Sequence, residues 1–284
     1  MNDDMRVFIS ADIEGCTGLV SWSQCGRPDG QHYDFGFARR MMTHDVNAAI
    51  RGARFGGAKQ VLVKDSHGNS KNLLIDELEA GAQLVTGHGS AIDGMMQGVD
   101  STFDCAVLIG YHAMAGTRAG VMEHTISGRV HRLWINGQPA GEIAMSAGVA
   151  GQYGVPVVSV SSDRAGCDEV EELLDGVETA CVKYGVGRHM AQCLHPSETS
   201  VLIEEAVRRG VQACKGHFAW RPESPVTFRI EFNRSEEADA AGKLVGCERI
   251  DAYTVEFSGP DYATAHRGAW NLLQLGSLGS SADQ

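Results

Sequence analysis

The chain has 284 residues, enough for one large domain or two unequal, tightly joined ones. Hydrophobic residues make up 43% and charged residues 21%, a composition that folds, and 24 Lys+Arg against 36 Asp+Glu give a formal charge of −12, which argues against nucleic acid and against membrane surfaces as partners. The acidic start Met1-Asn2-Asp3-Asp4 lacks the basic and apolar regions of a signal peptide, no apolar run approaches membrane-spanning length, and the cysteines form no C-x-x-C pair, so a cytoplasmic protein with free thiols is expected.

In chain order, Arg6 to Ala11 reads as the first buried strand. Phe37, Met41, Val46, Ala49, Ile50 and Ala53 then recur at helical spacing, Gly56-Gly57 ends that helix, and Gln60 to Lys64 is the next strand, completing one βαβ unit. Gln83 to Thr86, Cys105 to Ile109, Pro156 to Ser161 and Thr179 to Lys183 are further short apolar strands bounded by Gly, Asp or Ser. Val130, Arg132 and Trp134 followed by Asn136-Gly137 predict one arm and the turn of a β-hairpin, and Ala144 to Gly151 a closely packed helix. Ser197 with Leu202, Ile203, Ala206 and Val207 predicts a capped helix, Val226 to Phe232 and Tyr253 to Phe257 strands, and Tyr262 to Leu275 a last amphipathic helix.

The fold class is therefore α/β: a central, mostly parallel sheet flanked by helices, with a β-hairpin excursion and a smaller α+β C-terminal lobe. We expect a metal-binding catalytic domain over residues 1–195, the smaller lobe over 196–276 and a frayed tail over 277–284. There is no internal repeat.

Three predicted strands each deliver a chemically capable residue just past the carboxyl end, the edge where α/β folds place ligand sites. Asp12 and Glu14 follow the first strand, and their i, i+2 spacing keeps both on one side of an extended chain. Two such carboxylates repel unless a cation or donors neutralise them, although a turn-capping Asp12 beside a solvated Glu14 explains the segment alone equally well. His67 follows the strand ending in Asp65-Ser66, and His112 follows the strand ending in Gly110-Tyr111. Each histidine alone is more often a hydrogen-bonded structural residue, but Asp, Glu, His and His at one sheet edge favours a metal. Mixed carboxylate and imidazole donors suit zinc, or manganese or cobalt in its place, whereas magnesium and calcium select oxygen alone. Such a centre activates water as a bridging hydroxide and polarises a carbonyl, so the expected reaction is hydrolysis.

His124, on the glycine-rich stretch after Gly120, is either a proton shuttle or a surface histidine. Glu142 follows the hairpin, where a ligand and a helix first-turn Glu look alike. The remaining histidines read as surface or structural, with His88 and His131 able to approach the site. Ser10, Ser66 and Cys16 lack a G-x-S-x-G elbow, and no phosphate-binding glycine loop is present.

Ser10-Ala11-Asp12-Ile13-Glu14-Gly15, Asp65-Ser66-His67, Gly110-Tyr111-His112-Ala113, Gly120-Val121-Met122 with His124, and Gly141-Glu142 together resemble, in order and spacing, the D-aminopeptidase DppA family of dizinc peptidases. The resemblance continues through Trp134-Ile135-Asn136-Gly137, Ala150 to Val157 and Ser162-Asp163-Arg164-Ala165. It implies that Asp12, Glu14, His67, His112 and Glu142 bind two zinc ions, with Asp12 bridging, and that His124 is the catalytic residue beside them. It further implies a zinc-dependent aminopeptidase acting on short peptides, including those with D-amino acid N-termini, and a ring-like homo-oligomer, a decamer of stacked pentamers, enclosing the sites. The sequence departs from the family pattern in one extra residue within Ala115 to Ala119 and in Ser162, where an acidic residue is common. A dizinc amidase for a non-peptide amide and a non-catalytic oligomeric peptide-binding protein are the competing readings.

Overall fold

The computed structural model describes residues 4–25, 34–87 and 92–279. Its larger sheet has seven strands in the order β3 (Gln83–Val85), β2 (Gln60–Asp65), β1 (Arg6–Ala11), β4 (Cys105–Ile109), β7 (Val157–Asp163), β8 (Glu178–Gly187) and β9 (Met190–Cys193). All neighbours pair in parallel except β8 and β9, which form an antiparallel edge. Val7, Phe8 and Ile9 at its centre are all fully buried, because helices and a second sheet cover both faces.

Alternation along β1 divides the interior in two. Val7 and Ile9 join Met42, Val46, Ile50, Ile203 and Val207 from α1 (Phe35–Phe55) and α4 (Pro196–Ala213) on one side. Phe8 joins the opposite core, built from β4, from α2 (Glu142–Gln152) and α6 (Tyr262–Gly279), and from the second sheet. Each such aliphatic side chain contributes about 1.5–3 kcal/mol by leaving water. Helices α1 and α4 approach closely at Gly52, where a Cβ would lie 2.4 Å from the carbonyl oxygen of Glu204.

The second sheet is five-stranded and antiparallel where its pairings are defined, in the order β11 (Cys247–Arg249), β12 (Thr254–Gly259), β10 (Val226–Phe232), β5 (Val130–Ile135) and β6 (Gln138–Pro139). The predicted hairpin is β5–β6, turned by Asn136 and Gly137 at φ 50° and 79°. Its partner β10 lies far along the chain, so the smaller layer is discontinuous in sequence, while α4 packs on the large sheet.

Several elements lie beyond what local patterning revealed. Helix α3 (Arg164–Leu173) starts on the side chain of Asp163, which accepts a hydrogen bond from Gly166 N, and α5 (Ser235–Ala241) is a short helix that buries Ala238, Ala240 and Ala241. At the start of α4 the capping side chain is His195, which accepts from Ser197 N, with Pro196 in the first turn; Ser197 itself is inside the helix. Helix α6 runs to Gly279, past the expected end at Leu275. Among the described residues no helix is long and apolar enough to cross a membrane.

Register places the site. Ala11 at the end of β1 pairs with Asp65 of β2 and with Ile109 of β4, so the three strands finish level and the chain leaves all of them at one edge.

Candidate metal centre

The loops after β1 and β4 interlock directly beyond that edge. Asp12 N donates to Ile109 O and Gly15 N to Gly110 O, each at 2.8 Å. A Cβ on Gly15 would sit 1.7 Å from the Tyr111 carbonyl oxygen, and one on Gly110, whose φ is +68°, 2.4 Å from that of Asp12. Only glycine allows this approach at either position, and it is the approach that sets Asp12 and Glu14 beside His112.

The structure brings together all six residues singled out from the sequence. Asp12 Oδ1 lies 3.2 Å from His67 Nδ1, and Asp12 Oδ2 lies 3.5 Å from His112 Nε2. Glu14 Oε2 is 3.1 Å from His67 Nδ1, and Glu142 Oε1 is 3.4 Å from His112 Nε2 and 3.5 Å from His124 Nε2. Ligand atoms of Asp12, Glu14 and His112, and of His112, His124 and Glu142, form two groups whose members lie within 4.8 Å of one another. His67 joins through its contacts with Asp12 and Glu14.

The histidines share one hydrogen-bonding pattern. His67 Nε2 faces Cys25 O at 3.2 Å, His112 Nδ1 faces Ala113 O at 3.0 Å, and His124 Nδ1 faces Met122 O at 3.0 Å. A carbonyl only accepts, so each of these nitrogens carries the hydrogen, and the second nitrogen of each ring faces the carboxylates, with a lone pair whenever the ring is neutral. Lone pairs and carboxylate oxygens at such distances repel unless protons or a cation lie between them. Asp12 Oδ2, Glu14 Oε2 and His112 Nε2 are moreover buried without a hydrogen-bond partner among the described residues. Three orphaned atoms at one point, in a mixed oxygen and nitrogen donor set, fit a zinc-type centre.

The electrostatics carry the same strain. Burial, and then the Glu14 charge, push the Asp12 carboxyl up to about 7. Burial alone would raise Glu14 and Glu142, but His67 holds the first well below the usual carboxylate range and His112 lowers the second. Burial opposes charge on His67 and His112 as well, yet Glu14 raises the former and Glu142 the latter. His124 goes the other way, lowered by burial and then by His112, so it is the neutral imidazole of the cluster.

His124 stands on a tightly pinned loop. Ala119, Met122 and Ile126 have positive φ of 60°, 53° and 64°, strain that the surroundings hold in place. Asp163 Oδ2 accepts from Val121 N, Arg188 O from Met122 N, and Glu142 Oε1 from Ile126 N. His124 is 9% exposed against 1% for His112, and the half-open ring of Trp22 meets it edge-on at 5.0 Å between centroids.

Patterning alone missed Trp22, and it missed Lys183. The latter ends a predicted buried strand, and a charge in a strand covered on both faces is itself a signal, since it must find partners. Its fully buried ammonium donates to three carbonyls of the loop that carries Glu14. Of the weaker candidates, His131 is exposed on β5, His266 is buried in the second-sheet core, and His32 and His88 lie outside the described residues. Ser10 is buried, its hydroxyl bonded to Tyr111, Ser66 and Met95 O.

A family model described as D-aminopeptidase, Peptidase M55, matches residues 5–270. A D-aminopeptidase of Bacillus subtilis is 33% identical over 277 residues, spanning 95% of this chain and 97% of the relative. The solved structure of the same organism's Zn-dependent D-aminopeptidase DppA, described as a self-compartmentalizing protease, superposes with a TM-score of 0.91 at 32% identity, covering 96% of this chain and 98% of that one. The chain belongs to the D-aminopeptidase family.

Proposed function

We propose that the chain is a zinc-dependent aminopeptidase for short peptides, including those with D-amino acid N-termini, in which Asp12, Glu14, His67, His112 and Glu142 hold two zinc ions and His124 is the catalytic residue. The carrying observation is the placement of Asp12: its two oxygens face different histidines, Oδ1 towards His67 with Glu14 alongside and Oδ2 towards His112 with Glu142 alongside. That is a bridging position between two donor groups, and three carboxylates balance most of the charge of two dications. When bound, zinc supplies a Lewis acid and lowers the pKa of water towards neutrality.

The chain's own residues do the rest. His124, with its Nδ1 hydrogen committed to Met122 O, offers Nε2 as the proton carrier: it takes a proton from the attacking water and returns it to the leaving amine nitrogen. Its depressed pKa keeps it able to accept at neutral pH, and Trp22 shields one edge of the ring. Of the five donors, Asp12, Glu14, His112 and Glu142 are almost wholly buried, and His67 and His124 are the more open members of the cluster.

The test is metal content per chain together with amine release from D-Ala and L-Ala dipeptides, with free and with blocked amino termini, before and after chelation. Two zinc ions per chain, and turnover that requires both zinc and a free amino terminus, are expected. Equal hydrolysis of blocked substrates and simple amides would mark a general amidase, and zinc binding without turnover a peptide-binding protein.

The reading extends to the assembly. We propose that copies associate into a closed ring-like particle, a decamer in the cytoplasm. Self-compartmentalisation of the Bacillus subtilis relative supports this, as do Tyr184, Val186 and Met190, large hydrophobic side chains exposed at the β8–β9 edge near the site. Free thiols at all eight cysteines suit a reducing compartment.

A further inference from the structure

Among the buried charges outside the six-residue cluster, Lys183 makes the contacts that bear most directly on it. It is 0% exposed, and its Nζ donates to Glu14 O at 2.5 Å, Leu19 O at 2.7 Å and Cys16 O at 2.9 Å. An ammonium has three hydrogens, and here all three are used. The acceptors belong to the non-helical, non-strand loop that begins at Asp12, and the nearest belongs to Glu14. Asp45, also fully buried, takes the complementary donors of the same loop, Thr17 N and Thr17 Oγ1, each at 2.8 Å. One cation from β8 therefore gathers the loop's carbonyls and one anion from α1 its hydrogens.

We propose that Lys183 is a positioning residue for the metal cage: its three-carbonyl clamp fixes the backbone of Glu14 so that the carboxylate meets His67 and Asp12 at ligand distance. The inference rests on the zinc reading above. The geometry is specific to an ammonium. A planar guanidinium does not converge on three carbonyls from one atom, and a glutamine amide has only two donors. By reciprocity, if the clamp favours zinc binding, zinc must equally favour the closed clamp.

Two measurements on the full-length chain decide it. The first is zinc affinity of Lys183→Gln and Lys183→Arg by competition with a chromophoric chelator, with circular dichroism to check the fold. Both variants should keep the helix content and bind zinc about 10–100-fold more weakly than wild type, with Arg failing despite its charge. A folded variant that loads two zinc ions with wild-type affinity overturns the proposal. The second stands even where the variants do not fold: lysines of the wild-type protein are labelled with acetic anhydride, zinc-loaded and chelated, and read by mass spectrometry against the exposed Lys215 and Lys243. Labelling of Lys183 should rise several-fold on chelation, and an unchanged ratio overturns the clamp as a partner of the metal. Wild-type protein that takes up no zinc in the first measurement would instead overturn the zinc reading itself, and with it this inference.

Discussion

The rings of His112 and His124 lie stacked, 4.1 Å between centroids and 13° from parallel, and both direct Nε2 at the same oxygen of Glu142. Two imidazoles this close do not both become imidazolium cations, and their pKa values separate accordingly: His112 rises beside Glu142 against its burial, and His124 falls through burial and through His112. In the proposed function this one geometry serves two roles, a buried donor at His112 and a more open proton carrier at His124.

Replacing His124 by Ala tests that separation. Zinc content should stay at the wild-type level, because the five other donors are untouched, while kcat for a dipeptide falls about 10²- to 10⁴-fold, the usual worth of a positioned acid–base group. Metal analysis and steady-state kinetics on one preparation provide the check, and loss of zinc in parallel with activity would make His124 a ligand instead.

Zinc should stabilise the fold more as pH rises from 5 to 8. In the metal-free chain Asp12, raised by burial and Glu14 from 3.8 to about 7, and His67 and His112, raised above 6.5, bind protons more tightly folded than unfolded. Their contribution to metal-free stability is therefore full at low pH and is lost as pH rises through the folded values. Glu14 and Glu142 are lowered and act only below 4.5, while His124 opposes the trend below 6.5. Zinc needs the deprotonated donors, so the gap between loaded and chelated Tm should widen with pH. Scanning calorimetry at pH 5, 6, 7 and 8 with and without chelator measures it, and a constant or narrowing gap contradicts the assignment.

His266 sets a separate acid limit. Buried beside Tyr262, Phe228 and Trp270, it falls from 6.5 to about 4 through burial and then the Arg267 charge. A lowered histidine is neutral when folded, so the unfolded chain binds the extra proton and stability falls as pH drops from 6.5 towards 4. That range amounts to roughly 3 kcal/mol at 1.36 kcal/mol per pH unit. His266→Phe should flatten this part of the stability profile by a similar amount in denaturant melts, and an unchanged slope would place the proton elsewhere.

Gly15→Ala should be severe for a side chain of one carbon. Its Cβ would lie 1.7 Å from Tyr111 O, so the β1 and β4 loops must part. A cost of at least about 3 kcal/mol is expected, within the range of disruptive core substitutions, together with reduced zinc content. A matched control, Gly68→Ala, meets no atom of the described residues within 4 Å beyond its chain neighbours and should cost only the strain of its φ of +54°, about 1 kcal/mol. Equal Tm losses in the two variants would argue against the interlocked loops.

The amino-acid order alone determined that Asp12, Glu14, His67 and His112 would leave buried parallel strands at their carboxyl ends, because apolar runs bounded by Gly, Asp or Ser are a local signal and parallel strands finish at a common edge. It showed the β5–β6 turn for the same reason, since Asn-Gly states its own backbone preference. Glu142 was different: at the first turn of α2 it looks like any dipole-favoured glutamate, and only the packing of α2 under the second sheet, whose β5 pairs with β10 far along the chain, turns it towards His112. The edge-on contact of Trp22 with His124 and the bond from Lys183 to Glu14 O were likewise decided by tertiary structure. Local patterns report which face of a strand or helix is buried, but a contact between residues separated by more than a hundred positions depends on how whole layers stack, and no window of sequence contains both partners.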